Sequence, residues 1–280
     1  MKICGFTIIR NGIIFDYPFL ESIKSLLPIV DKMVINCGKG NDETLEVIKS
    51  LNSPKIEILE REWDMSMRKG GRLLSFETNR AMEVCEGDWG FYLQGDEVLH
   101  EDEYDLILLE MERGLKEDVE GISFRYIHFE ASYDYYNPFR YRREIRVVRL
   151  GRDIISWGDA ATFRHKDGSK LRVLKTKAHI YHYGWVKSPE KMLQKRREFE
   201  KLYHDDSYIE KKYREKVRYE FPNLPVLRRF KGTHPSVMKE RIERANWELP
   251  MPRFRVPVFL HPRTYYILLH KWGILKGDWS

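Results

Sequence analysis

The run WGFYLQGDEVLHEDE, residues 89–103, decides how the chain is read. Trp89 to Leu93 form an apolar stretch that stops at Gln94, Gly95, Asp96 and Glu97. A short apolar run cut off by glycine and polar residues reads as a buried strand ending at a turn. Glu101, Asp102 and Glu103 come next, just before apolar residues at helical spacing in YDLILLEMERGL. Acids in the first turn of a helix suit its dipole and need no other role. Asp96 and Glu97 stand before that turn, at the strand tip, where a carboxylate can reach a hard cation.

The same alternation extends outward. KICGFTIIR, KMVINC, KIEILE and GISFRYIHF are β-rich runs, and YPFLESIKSLL, ETLEVIKSL and RLLSFETNRAMEVC carry helical periodicity between them. Strands separated by helices of this length imply right-handed βαβ units and a largely parallel sheet. After Phe129 the pattern changes. FRYRREIRVVRL alternates like antiparallel strands, WGDAATFRHKDG reads as irregular, and TKAHIYHYGWV reads as one more strand. SPEKMLQKRREFEKLYH is a helix capped by Ser188 with Pro189 in its first turn. Proline-punctuated loops and a short helix, SVMKERIERAN, follow. Residues 1–187 are therefore read as one α/β domain and 188–280 as a helical extension packed on it.

The chain has 280 residues, 33% charged and 42% apolar, with a formal net charge of +6. That balance suits anionic partners. Three cysteines, Cys4, Cys37 and Cys85, lack metal-like spacing, and their odd number argues against a disulfide framework. MKICGFTIIRNG has too short an apolar core for a signal peptide, and no uncharged run is long enough to span a bilayer. The default compartment is the cytoplasm.

Ligands of open α/β sheets bind at the carboxyl ends of the strands. Here those ends carry Arg10-Asn11-Gly12, Asn36-Cys37-Gly38-Lys39-Gly40-Asn41-Asp42 and Gln94-Gly95-Asp96-Glu97. GKGNDET lacks the length and the ending of a P-loop. It reads equally as a turn in which Asp42 caps the next helix.

IIRNG, PIVDKMVINCGKGNDET and FETNRAMEVCEGDWGFYLQGDE, in this order and spacing, make residues 1–130 or so resemble glycosyltransferase family 2, with its GT-A fold. The resemblance implies a Rossmann-like, mostly parallel sheet flanked by helices, and transfer of a sugar from a nucleotide-diphosphate donor. Asn11, Asn36, Asp42, Arg72, Gln94, Asp96 and Glu97 would then lie around the donor. Asp96 would be the last acid of the metal motif, assisted by Mg²⁺ or Mn²⁺. The chain departs from the family pattern at Gly12, Asn36 and Gln94, where acids are usual. Each change removes negative charge, so either the diphosphate itself recruits the metal, or basic side chains take over its work, with Lys39, Arg68, Lys69 and Arg72 as candidates.

Family members often supply a late histidine to the metal, and His182 before the capped helix is the candidate, with His179 one position off its alternate face. An inverting transfer needs a general base for the acceptor hydroxyl. Asp159, beside Trp157 and Gly158, and Glu144, among arginines, are the two carboxylates considered. Tyr133, Tyr135, Tyr136, Phe139 and Tyr141 either offer platforms for a glycan or lipid-linked acceptor or simply pack an excursion from the sheet. The basic helix and the tail RTYYILLHKWGILK allow peripheral contact with an anionic membrane, against the plainer reading of a solvated face and a packed terminus. Two other classes stay open. One is a non-catalytic GT-A-like protein that binds a glycan or a partner. The other is a nucleic-acid binder using Arg142, Arg143 and Arg146, although no recognised module is present and nucleic acid is not the expected partner.

Overall fold

The computed structural model describes residues 1–249 except 202, together with 251, 257, 260 and 265. Its first strand, β1 (Ile3–Ile9), is buried almost throughout because strands flank it on both sides. The helix α1 (Phe19–Leu26) leads to β2 (Lys32–Gly38), α2 (Thr44–Lys49) to β3 (Ile56–Arg61), and α3 (Arg72–Glu83) to β4 (Trp89–Tyr92). All three pairings within β3-β2-β1-β4 are parallel.

Chain reversal begins after β4. The two-residue strand β5 (Glu97–Val98) precedes a tight turn at Glu101–Glu103 and α4 (Tyr104–Lys116). Then come β6 (Gly121–Glu130), β7 (Tyr135–Tyr136), β8 (Arg143–Arg149), β9 (Ile154–Trp157), β10 (Thr162–His165) and β11 (Val173–Trp185). Strand β8 inserts antiparallel between β4 and β6, while β11 runs parallel to β6 and pairs with β5. The segment beyond β11 holds α5 (Pro189–Glu200), α6 (Asp206–Tyr213), the edge strand β12 (Arg228–Arg229) on β7, and α7 (Lys239–Glu243). The α/β architecture expected from the sequence is thus present, as a mixed sheet whose first half is wholly parallel.

Strand alternation sorts the core into two layers. Ile3 and Ile9 pack with Ile23, Leu26 and Met111 on the α1/α4 face. Cys4 and Phe6 pack with Ala81, Tyr92 and Phe163 on the α3 face. The α3 face carries a correction: Cys4 and Cys85 are bonded as a disulfide, and only Cys37 is a free, buried thiol. Cysteine parity limits how many can pair but not whether two do. The α3 crossover brings together residues 81 positions apart. A second correction concerns residues 157–168. Part of this segment is a hairpin, β9 against β10, closed by Gly158 and Ala160 at positive φ.

Ser188 caps α5 as expected, accepting from the Lys191 amide. Phe199 of α5 joins Trp63 and Leu73 in a cluster, and Arg241 of α7 bonds Asp16 and Glu21 beside α1. No helix among the described residues is long and apolar enough to cross a membrane. The tail RTYYILLHKWGILK, read as a membrane-contact candidate, lies outside the described residues except for Tyr265.

Candidate active site

A cavity of about 300 Å³ opens where the carboxyl ends of β1 and β4 face the end of β11 and the inner face of α5. Parallel topology brings Asn11 and Asp96 there. The β9–β10 connection adds Asp159 to Ala161, and α5 adds Lys195, Arg196 and Phe199.

Asp96 is the centre of its charge. Its Oδ2 lies 3.6 Å from His182 Nε2 and 3.5 Å from Lys195 Nζ. Burial alone would raise this carboxyl, but His182, Lys195 and Lys187 outweigh it and hold it below its ordinary value. Burial, opposed by Asp96, lowers His182. Its Nδ1 is buried without a partner among the described residues. Lys195 also donates to the Gly184 carbonyl at 2.7 Å and stands 4.7 Å from the centre of the Tyr17 ring. Behind it, burial and the neighbouring Lys195 push Lys187 down to about 7. Gly184 makes this packing feasible, because a Cβ there would come within 2.2 Å of Asp96 Oδ2.

Asn11 sits at φ 55, a left-handed conformation that Asn tolerates better than most residues. Its Oδ1 accepts from the Asn41 amide, and Gly40 leaves room for that approach. Gln94 lines the cavity and donates from Nε2 to the Ala160 carbonyl at 3.1 Å. Asp159 accepts from the Tyr203 hydroxyl at 3.0 Å. Asn11, Gln94, Asp96, Asp159 and His182 are therefore brought together.

The other expected site residues do not line this cavity. Asn36 is buried, donating to Glu77 and accepting from the Trp63 indole. Asp42 accepts from the amides of Ile13, Ile14 and Thr44, which ties the β1 and β2 loops together. Arg72 is exposed at the start of α3. Glu97 points into the core, where Arg146 engages both its oxygens. Glu144 is buried behind the wall, and desolvation raises its carboxyl to about 7. Lys39, Arg68 and Lys69 also lie elsewhere, and the cavity's cations are Arg10, Lys195, Arg196 and Lys201.

Sequence reasoning missed Lys195 and Lys187. Lys195 lies in a charged run that reads as a solvated face. The signal is its spacing: Met192, Lys195 and Phe199 fall on one side of α5. Trp185 was missed likewise, although Arg140, Lys195 and Arg196 all stand over its ring.

Asp96 and His182 suit a divalent cation in kind, as a carboxylate and an imidazole. Lys195 competes for the same oxygen, and no cluster of three or more potential ligands occurs among the described residues.

No family model and no curated protein matches the chain. Among solved structures it is similar to Staphylococcus aureus TarS residues 1–349 at 14% identity, covering 75% of this chain and 68% of that one, with a TM-score of 0.41. The same fragment in complex with UDP-GlcNAc gives 15% identity, coverage of 75% and 70%, and a TM-score of 0.41. Against the longer TarS structure the chain spans about half, 47% of that chain and 80% of this one, at 14% identity and a TM-score of 0.44. Mannosyl-3-phosphoglycerate synthase from Rubrobacter xylanophilus gives 18% identity over 46% of this chain and 41% of that one, with a TM-score of 0.33. At that distance likeness settles neither activity nor substrate, and the fold stands on its own strand order.

Proposed function

We propose that the chain is a glycosyltransferase that binds a nucleotide-diphosphate sugar in the Asp96 cavity and passes the sugar to an acceptor hydroxyl with inversion. The observation that carries this reading is Asp96, ionised at a strand end and faced by His182 and Lys195 in a cavity with aromatic walls. Trp63, Tyr92, Phe199 and Tyr203 offer faces for a base or a sugar ring. Lys195, Arg196 and Lys201 offer positive charge to a diphosphate, before and after the sugar leaves.

Asp159 is the proposed general base, since it lines the cavity and its carboxylate is held there by the Tyr203 hydroxyl. Mg²⁺ or Mn²⁺, when bound, would neutralise charge on the leaving diphosphate, and Asp96 and His182 would hold it. Lys195 already supplies one positive charge at that place, so the cation's share is expected to be small. A product among cell-surface glycans rests on the family resemblance alone.

The test is calorimetry and thermal shift with UDP, GDP, CMP and dTDP, with and without Mn²⁺. Stabilisation by one of them whose Mn²⁺-dependent part Asp96→Ala abolishes supports the reading. No binding by any nucleotide would sink the donor site. Nucleotide binding with no release of sugar from the corresponding nucleotide-diphosphate sugar would favour the non-catalytic reading, which draws on Gln94 standing where a second acid is usual.

A further inference from the structure

A second cavity, of about 920 Å³, lies beyond the first across a wall of two rings. Tyr141 lines the first cavity and Tyr126 the second, and their ring centres are 5.0 Å apart. Arg125, Arg142, Arg143, Arg228, Arg229 and Lys231 line the second cavity, and among the described residues no acidic side chain does.

Like charges meet at close quarters in this lining. Arg125 stands directly opposite Arg143 across β6 and β8. Like charges directly opposite in a sheet repel. Among the described residues Arg125, Arg142, Arg143, Arg229 and Lys231 form no ion pair that would relieve them. Arg143 is held in place instead by the Ser123 and Thr176 carbonyls at 2.8 and 2.6 Å. Arg228 is held by the Val226 and Leu227 carbonyls, both at 3.1 Å. Guanidinium groups fixed in advance lose little freedom when an oxyanion arrives.

We propose that this cavity binds the anionic groups, carboxylate or phosphate, of a charged saccharide chain. The repeated cations fix the charge of the ligand, and Tyr126, Tyr136 and Phe230 give its rings apolar faces. That the ligand is the acceptor rests on the transferase reading, whereas that it is an anion does not.

Binding of two probes is measured by calorimetry on the full chain at several salt concentrations: an oligogalacturonate and a short inorganic polyphosphate. A neutral maltooligosaccharide, a single-stranded oligonucleotide and phosphatidylglycerol vesicles are compared. The variant R125Q/R142Q/R229Q alters exposed side chains only, and its melting curve checks that it folds. Either anionic probe should bind, lose affinity as salt rises, and weaken on the order of tenfold or more in the variant. Whichever binds more tightly identifies carboxylate or phosphate as the charged group. Nucleotide binding at Asp96 should be unchanged in the variant. The proposal is overturned if neither anionic probe binds, if the variant binds them as well as the parent, or if the neutral chain binds equally. Tighter binding of the oligonucleotide or the vesicles overturns it too. If no nucleotide binds but the variant still loses the anionic probe, the transferase reading fails and the anion site stands.

Discussion

Glu97 and Arg146 form a fully buried pair joined by two hydrogen bonds of 2.8 Å. Its remaining polar atoms are also used. Tyr126 donates to Glu97 Oε1, the Gln94 amide to Oε2, and Arg146 Nη1 to the Ala161 carbonyl. The pair thus links β5, β6 and β8 to two strips of the cavity wall, those of Gln94 and Ala161. Consecutive residues therefore face different worlds, Asp96 the cavity and Glu97 the core.

Replacing one member of that pair should be far worse than replacing both. Glu97→Gln leaves the Arg146 charge buried and unmatched, which costs about 3–5 kcal/mol in comparable sites. Glu97→Leu with Arg146→Met removes both charges and should recover most of that loss. Urea unfolding of the single and double variants measures the difference. Near-equal losses would show that the guanidinium does not depend on the carboxylate.

The Asp96 triad predicts how metal and lysine share one task. Asp96→Ala should remove any Mn²⁺-dependent part of nucleotide binding. Lys195→Met, by freeing the Asp96 oxygen, should weaken binding without metal and make the remaining binding more responsive to Mn²⁺. Calorimetry at fixed ionic strength, with EDTA or Mn²⁺, separates the two. A Lys195→Met variant indifferent to Mn²⁺ would rule out the sharing.

How much of this was legible in the sequence depended on periodicity. The parallel half was readable because each strand and helix there has its own spacing and its own turn residues. Asp96 was readable because Gly95 cuts the strand just before it. The Cys4–Cys85 bond was not, since its residues meet only after α3 has packed. Glu97 could not be separated from Asp96, because its partner Arg146 lies 49 positions away in a run that looks surface-exposed. Lys195 was hidden for the same reason: a buried lysine in a charged helix differs from its neighbours only by face. Of the three arginines weighed for nucleic acid, Arg146 is fully buried, and the basic cluster of the second cavity assembles from β6, β8 and β12, far apart in the chain.

Glu144 makes stability depend on pH in a definite direction. Desolvation raises its carboxyl from 4.5 to about 7 in the folded chain. The folded state therefore holds a proton that the unfolded chain has lost, and stability falls as pH rises from 4.5 to about 7. The effect is on the order of a few kcal/mol, because each tenfold difference in proton affinity between the two states is worth about 1.36 kcal/mol. Glu144→Gln should flatten this slope, gaining on the parent as pH rises. Lys187, pushed down to about 7 by burial first and Lys195 second, acts above that window, where stability rises with pH. Thermal unfolding across both windows, from acid to mildly alkaline pH, distinguishes them. A parent slope of the same size in Glu144→Gln would refute the assignment.

Gly184 offers a way to disturb Asp96 without removing its charge. A Cβ at this position would fall 2.2 Å from Asp96 Oδ2 and 2.9 Å from His182 Cε1, so both groups must move. Neither can retreat freely. The Asp96 carbonyl is bound by the Tyr183 amide at 2.8 Å, and His182 packs edge-on against His128. Overpacking of this kind costs about 1–3 kcal/mol of stability. The larger consequence falls on the site, because Asp96 Oδ2 is the atom shared by His182 and Lys195. Gly184→Ala should therefore reduce nucleotide affinity about as much as Asp96→Ala, while the chain remains folded by circular dichroism. Nucleotide binding by Gly184→Ala equal to that of the parent would show that the position of Asp96 Oδ2 is not what the ligand reads.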